Sequence, residues 1–446
     1  MTSRFLLALL VLTPTYARAS DPPRIPTELT DYVFAPDDSF TWKLAGETTS
    51  ELGTVYTLEM VSQTWHGVKW DHKIQVFLSR DAKPTATLPL WNEGGTPSLE
   101  STLLGLKLSS TLKSPLAIVF GIPKQPLYGG KTEDALIAES FVRYLTTEDP
   151  SWPLLFPMVK GVVRAMDALQ EFARQKWDVS VKHFVIAGAS KRGWTAWLTA
   201  ATGDKRVKAI APLVFDTLNL GPQMDYQVKC FGGPSEMIRD YSERLLLPIP
   251  RTAAARQLWS IIDPWTYRDR ITCPKLIVLG TNDEYWTLDA LNLYWDGLKG
   301  DKWVLYVPNA GHRLVEKDCN GTTQKLPERA FTTLCAFCRA QVFDKPLPRL
   351  RCEMSPQPES GCLDVTAVCD TKPLSARAYL AEAEKRDFRK SFWETRPIDL
   401  NGSKASCVID FPTTGNRAAL VELEFQMDDL KYRLSTTLKI FDSSGK

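Results

Sequence analysis

The chain has 446 residues, 44% of them hydrophobic, with 54 Lys and Arg against 52 Asp and Glu. Such a length exceeds an ordinary single domain and points to one large domain plus a smaller one. The near balance of charge gives no global electrostatic reason to expect nucleic acid or an anionic membrane as partner.

At the start, Arg4 precedes the apolar run 5–12, and Ala17-Arg18-Ala19 is a small-x-small cleavage site, so residues 1–19 are predicted to be a secretory signal peptide. The run is too short to span a bilayer and no later apolar segment is long enough, so no membrane span is expected. Its removal takes away Arg4 and Arg18 and no acid, leaving 52 basic side chains against 52 acidic ones. The expected location is extracellular, or periplasmic in a bacterium.

Further along, residues 54–65 and 72–79 alternate as strands, and 85–91 and 116–121 are further strand runs. Helical spacing follows over 132–146 and 157–175, the second with Met158, Val162, Ala165, Met166 and Leu169 on one face. The apolar run from Val185 ends in Gly188-Ala189-Ser190-Lys191-Arg192-Gly193 and gives way to helix-compatible residues from Trp194. Strands are predicted again over 207–215, 274–280 and 303–308, then a helix at about 326–343. Residues 220–265 interrupt this alternation and are expected to form a lid that selects substrate. Pro346, Pro348, Pro356 and Pro358 mark a linker, after which 377–382, 405–411 and 418–425 alternate as antiparallel strands. The predicted fold is an α/β-hydrolase domain over 20–345 with a mostly parallel sheet, followed by a small β-sandwich-like domain over 346–446.

A serine on a tight strand-to-helix turn between glycines is a nucleophile elbow: the turn exposes Oγ, and the next backbone N–H faces the reacting carbonyl. Ser190 sits so, although a serine bonded to its own turn would look similar. Asp283 follows the strand ending at Gly280, and His312 follows the strand ending at Pro308, in the order Ser, acid, His that this fold uses. His312 would take the Ser190 proton while Asp283 fixes its tautomer. Asp283 could instead cap the next helix, with Glu284 as the competing acid, and His312 could be a plain loop histidine. The oxyanion is expected to meet the Lys191 N–H and one donor within Glu93-Gly94-Gly95, a pair of glycines that lets backbone approach closely unless it is only a turn. The chemistry implied is acyl transfer to water without a cofactor or metal, on a small-molecule or peptide substrate.

Nine cysteines in an exported chain argue for disulfides, with at least one thiol left over. Seven of them cluster from Cys319 to Cys407, so bridges are expected to pin the second domain to the first. A zinc set built on Cys335 and Cys338 is the alternative, disfavoured by irregular later spacings. Asn320 and Asn401 fit the N-glycosylation acceptor, which matters in a eukaryotic host.

Several ordered phrases resemble the PhoPQ-activated pathogenicity-related protein family. They include Asp31-Tyr32-Val33 with Trp42, the run Glu133 to Ala138, Trp152-Pro153 through Asp167, Gly188 to Trp194, Asp263-Pro264 with Tyr267-Arg268, Asn282-Asp283-Glu284, and Val307-Pro308-Asn309 with His312. The resemblance implies an exported α/β-hydrolase-like protein with a β-rich C-terminal part, and little about substrate. Family branches are linked to virulence or to extracellular growth signalling with dipeptidyl-peptidase-like character, so the alternative function is a secreted signalling protein acting on a cell-surface receptor. Ser190-Lys191-Arg192-Gly193 also looks like the Ser-Arg-x-Gly elbow of glucuronoyl esterases, which implies that the Lys191 side chain assists the oxyanion. For dipeptidyl cleavage, Glu93, Glu133 or Glu284 would have to hold the substrate ammonium.

Overall fold

A computed structural model describes residues 25–446; the predicted signal peptide lies outside them. In chain order the elements of the first part are α1 (Glu28–Phe34), β1 (Thr41–Ser50), β2 (Gly53–Trp65), β3 (Val68–Ser79), β4 (Thr87–Asn92), α2 (Leu99–Leu112), β5 (Leu116–Val119), α3 (Glu133–Thr147), α4 (Leu155–Trp177), β6 (His183–Ala189), α5 (Lys191–Ala201) and β7 (Val207–Leu213). Residues 220–265 hold α6 (Leu220–Phe231), α7 (Arg239–Ser242) and α8 (Ala253–Ile262), and β8 (Lys275–Gly280), β9 (Lys302–Val307) and α9 (Glu328–Val342) complete the series.

The strands lie in the order β1-β2-β3-β5-β4-β6-β7-β8-β9. β1 to β3 and the β3–β5 pair run antiparallel, and every pair from β5 to β9 is parallel. Because these strands run parallel, the carboxyl ends of β4, β6, β8 and β9 lie on one edge, where an α/β sheet gathers its functional loops. Strand residues alternate between two cores. Ile186, Ile210, Ile277 and Val304 meet α4 and α5 on one face, while Val185, Ala209, Val278 and Leu305 meet α9 on the other. Burial on both faces explains why these strands read as continuous apolar runs. α5 is buried along its whole length, which fixes the turn that precedes it.

The C-terminal strands are β10 (Leu350–Gln357), β11 (Cys362–Cys369), β12 (Ser375–Ala383), β13 (Glu394–Pro397), β14 (Asp399–Asn401), β15 (Lys404–Asp410), β16 (Asn416–Met427), β17 (Leu430–Ser435) and β18 (Lys439–Asp442). They are antiparallel, as the alternation indicated, but they do not all stand apart as a sandwich. β17 pairs with β9 at Ser435–Val304, so the order continues β9-β17-β16-β12-β13 in the same sheet, with β18 also on β16. A second sheet, β10-β11-β15-β14, lays Leu363, Val365 and Ala367 into the core shared with α9. The expected proline linker is partly strand as well. Pro356 lies in β10, an edge strand, where a missing N–H costs no ladder bond.

All nine cysteines are free in the structure, so none of the expected bridges is seen. Cys352 on β10 and Cys407 on β15 flank β11, paired with Ala367 and Val365 respectively. Two strand spacings, roughly 9–10 Å, exceed the roughly 7 Å Cα limit of a disulfide. Cys335 and Cys338 are buried on α9, where burial pushes both thiols up and keeps them protonated and inert. Asn320 and Asn401 are exposed. No helix among the described residues is long and apolar enough to cross a membrane.

Candidate active site

β6 ends at Ala189 and α5 begins at Lys191, so Ser190 alone makes the turn, at φ 57° and ψ −127°. Such a conformation costs a non-glycine residue about 1–3 kcal/mol and persists only where its surroundings impose it. The Ser190 N–H donates to the Leu213 carbonyl at 2.8 Å, and the Ser190 carbonyl accepts the Trp194 N–H at 3.0 Å. A Cβ on Gly188 would lie 2.4 Å from Asn92 Nδ2 and 2.7 Å from the Arg192 carbonyl; one on Gly193 would lie 3.0 Å from the Leu213 carbonyl. The second glycine thus falls three residues after the serine because residue 193 faces β7, while the Arg192 side chain points away toward Ile122 and Glu133.

Asp283 and His312 meet. His312 Nδ1 lies 2.9 and 3.1 Å from the two Asp283 carboxylate oxygens, with the acid only 7% exposed. Gly280 allows this: a Cβ there would strike the carbonyls of Ala310 at 2.4 Å and Gly311 at 2.6 Å, so the histidine loop lies directly against the end of β8. Asp283 also caps the following turn, accepting the Tyr285 N–H at 2.9 Å, so the capping role and the histidine contact coexist. Glu284 accepts the His312 backbone N–H at 3.1 Å instead of meeting the ring. Tyr285 stacks on the imidazole at 4.0 Å between centroids. No hydrogen bond among the described residues joins Ser190 to His312, whose Nε2 is buried without a partner. Both groups nevertheless flank Tyr285, which lines one pocket with Ser190. Of the other histidines, His72 is buried between Ser62 and the Phe120 carbonyl, and His66 stacks on Trp152.

The basic residues after the serine pair with the start of α3. Arg192 forms a two-pronged bond to Glu133 at 2.6 and 2.7 Å, and the Lys191 ammonium bridges Glu133 at 2.9 Å and Asp134 at 3.0 Å. Burial works against the charged Glu133, but the Arg192 hydrogen bonds and charge, then Lys191, hold its carboxyl well below the usual range. Lys191, at the N-terminus of α5, keeps a backbone N–H that no helical carbonyl can reach.

The 93–95 loop is more committed than expected. Its Glu93 N–H donates to the Val119 carbonyl at 2.8 Å and its Gly94 N–H to the Glu93 side chain at 2.8 Å, which leaves the Gly95 N–H. Gly94 is required by a side chain: a Cβ there would lie 1.6 Å from the Arg192 guanidinium. The carboxylates suggested for a substrate ammonium are all engaged, Glu93 by Trp91 and Gly94, Glu133 by Lys191 and Arg192, and Glu284 by the His312 backbone.

Beside Ser190 lies an apolar pocket walled by Trp194, Phe215, Tyr285 and Trp286. Six residues of 220–265 close it: Leu220, Met224, Ile238, Tyr241, Leu247 and Trp259. Asp263 anchors both ends of this region, accepting N–H bonds from Leu220 at 2.8 Å and Trp265 at 2.9 Å. Behind Asp283, Asp216 is buried and accepts the Tyr294 hydroxyl at 2.7 Å. Burial, with the charges of Asp283 and Asp289 adding to it, pushes its carboxyl up to about 8. Asp216 carries no sequence signal, and Glu133, which the sequence suggested for a substrate ammonium, instead pairs with Lys191 and Arg192, since each is defined by partners dozens of residues away.

Strand order, elbow, and acid and histidine loops on successive strand ends together define an α/β-hydrolase fold. Over residues 29–389 the chain matches the family described as PhoPQ-activated pathogenicity-related protein, and it belongs to that family. Autocrine proliferation repressor protein A of Dictyostelium discoideum is 30% identical over 460 aligned positions, covering 93% of this chain and 90% of that protein. Among solved structures, acetyl xylan esterase 1 from Thermoanaerobacterium is similar with a TM-score of 0.47 at 15% identity, covering 64% of this chain and 86% of that one. A glucuronoyl esterase from Solibacter usitatus is similar with a TM-score of 0.42 at 13% identity, covering 72% and 92%.

Proposed function

We propose that the protein is a secreted serine hydrolase of carboxylic ester or amide bonds, with Ser190, His312 and Asp283 as its triad. The observation that carries this reading is the Asp283–His312 pair, its acid buried, two strands along from a strained serine elbow. Ser190 Oγ attacks the acyl carbon as its proton passes to His312 Nε2, the ring atom left without a partner. A bond from Ser190 to this nitrogen forms when substrate closes the site, since such bonds are often long in free enzymes. The oxyanion takes the Lys191 N–H and, from the 93–95 loop, the Gly95 N–H. Collapse expels the alcohol or amine, which leaves with the His312 proton. Water, deprotonated by His312, then frees the acid and restores Ser190.

The test is a panel of aryl esters and dipeptidyl amides. Ester turnover lost in Ser190→Ala supports the reading, and turnover of Xaa-Pro amides alone would replace the esterase with a peptidase. Engagement of all three suggested glutamates counts against an ammonium-binding exopeptidase.

A second reading rests on the relative named as a proliferation repressor. On it, the chain acts on cells through a receptor and catalysis is dispensable. Ser190→Ala would then keep its full effect on growing cells, whereas the hydrolase reading expects that effect to fall with turnover.

A further inference from the structure

Resting on the hydrolase reading, we infer that the acyl part of the substrate is a compact, uncharged, branched apolar group seated in the pocket beside Ser190, whose free volume is about 50 Å³. The walls come from four places: Trp194 on α5, Phe215 after β7, Tyr285 and Trp286 after β8, and Trp259 with Met224 from the lid region. Trp194 lies flat on Phe215 at 5.0 Å, and Phe215 meets Trp286 edge-on at 6.1 Å, so the wall is an aromatic array that offers apolar contact to a short branched chain. The charged groups at the wall are already balanced. Of the lining residues Lys191 pairs with Asp134 at 3.0 Å, with the Glu133–Arg192 pair beside them, and Asp134 also accepts the Tyr241 hydroxyl at 3.0 Å. A charged substrate group would be buried there without a counter-ion. Among the lining residues, the Thr217 hydroxyl and the Trp259 indole N–H are buried without partners, which suits a neutral acceptor oxygen and not a cation. The acyl group stays bound through Ser190 while the leaving group departs, so the lid-covered pocket belongs to the part that stays.

The experiment compares p-nitrophenyl esters that share a leaving group and differ in the acyl chain: acetyl, isovaleryl, phenylacetyl, succinyl and glycyl. At roughly fourfold per buried methylene, kcat/KM for isovaleryl should exceed acetyl by at least tenfold, and phenylacetyl should gain less than isovaleryl because its ring exceeds the pocket. Succinyl and glycyl should fall at least tenfold below neutral chains of equal length. Met224→Trp should shrink the isovaleryl-to-acetyl ratio. A flat profile, or a preference for a charged acyl group, overturns the inference. Labelling by a small fluorophosphonate keeps the two failures apart: an enzyme that labels on Ser190 with a flat profile refutes only the pocket, and one that never labels refutes the hydrolase.

The segment 384–393, between β12 and β13, belongs to the C-terminal strands yet reaches the candidate site. The Asn282 side-chain amide donates to the carbonyls of Ser391 at 2.7 Å, Phe388 at 3.2 Å and Arg389 at 3.4 Å. Asn309 exchanges two bonds with the backbone of the buried Trp393, at 2.7 and 2.9 Å. Asn282 neighbours Asp283, and Asn309 precedes His312 by three residues. The same segment holds the lid: Arg389 lies 3.7 Å over the Phe231 ring, and Arg386 bonds Tyr226 at 3.2 Å. We propose that 384–393 is a positioning strap that aligns the acid and histidine loops and ties the lid to them. Asn282→Ala and Asn309→Ala should lower kcat at least tenfold with KM within threefold, and should speed hydrogen exchange in 281–284 and 309–312. Arg389→Gln should instead change KM. Folded variants, by circular dichroism and thermal melting, with kcat within twofold of wild type overturn the proposal. Should either alanine variant not fold, the exchange and KM readings on Arg389→Gln decide it: unchanged values refute the strap.

Discussion

Asp283→Asn removes one oxygen from a carboxylate whose two oxygens both lie within 3.1 Å of His312 Nδ1. An amide that keeps the Tyr285 N–H bond on its oxygen must turn its NH2 toward the ring. That selects the tautomer with the proton on Nε2, where it cannot accept from Ser190. The imidazolium formed on attack also loses its counter-charge. The loss on this scale is about 10³–10⁴ in kcat, or about 4–5.5 kcal/mol of barrier. Glu284→Gln makes the contrast. Its oxygen still accepts the His312 backbone N–H, so kcat should hold within about threefold of wild type, the effect of one weakened hydrogen bond. The assay is steady-state hydrolysis of the best p-nitrophenyl ester, with thermal melting to confirm folding. A folded Asp283→Asn enzyme within tenfold of wild type, or a larger loss from Glu284→Gln, would refute the assignment of the acid.

Asp216 titrates near 8 when folded and near 4 when unfolded, so the folded state binds more protons between these values, and this group's stabilisation is present at low pH and lost as pH rises through about 8. Asp216→Asn keeps the Tyr294 bond and should flatten the fall in melting temperature from pH 5 to pH 8; an unchanged slope would contradict the burial argument. Glu133→Gln leaves Arg192 without its carboxylate and Lys191 with Asp134 alone, and should cost about 2 kcal/mol at pH 7, less than a fully buried pair because the Glu133 side chain is 38% exposed. Because the folded Glu133 carboxyl is depressed, its stabilisation is lost as pH falls below about 4, so the gap to wild type in urea unfolding should close in acid. Thiol titration in denaturant without reductant should count nine, and in native buffer the exposed Cys319 should react first; a lower count in denaturant would show bridges.

Much of the site could be read from local patterns. Ser190 between glycines, and Asp283 and His312 each just past an apolar run, carry their geometry in short segments, because a strand end and a tight turn are local events. What the sequence left unread depends on distant partners. Arg192 meets Glu133 across 59 positions, and Asn282 meets Ser391 across 109, with no periodicity to announce either. β1 is exposed along nearly its whole length, so it lacks the alternation that marks a half-buried strand. The prolines at 346–358 read as a linker, yet Pro356 fits an edge strand without cost. The C-terminal strands were legible as antiparallel, but their junction with the main sheet rests on the single pairing of Ser435 with Val304. Cysteine number suggested bridges, and strand register prevents the Cys352–Cys407 pairing.

The most direct measurement is intact mass and peptide mapping after treatment with a fluorophosphonate, on wild type and on Ser190→Ala. The account predicts one stoichiometric adduct, located on Ser190, and none on the variant. A folded wild-type protein that takes up no adduct, or labelling that survives Ser190→Ala, would contradict it.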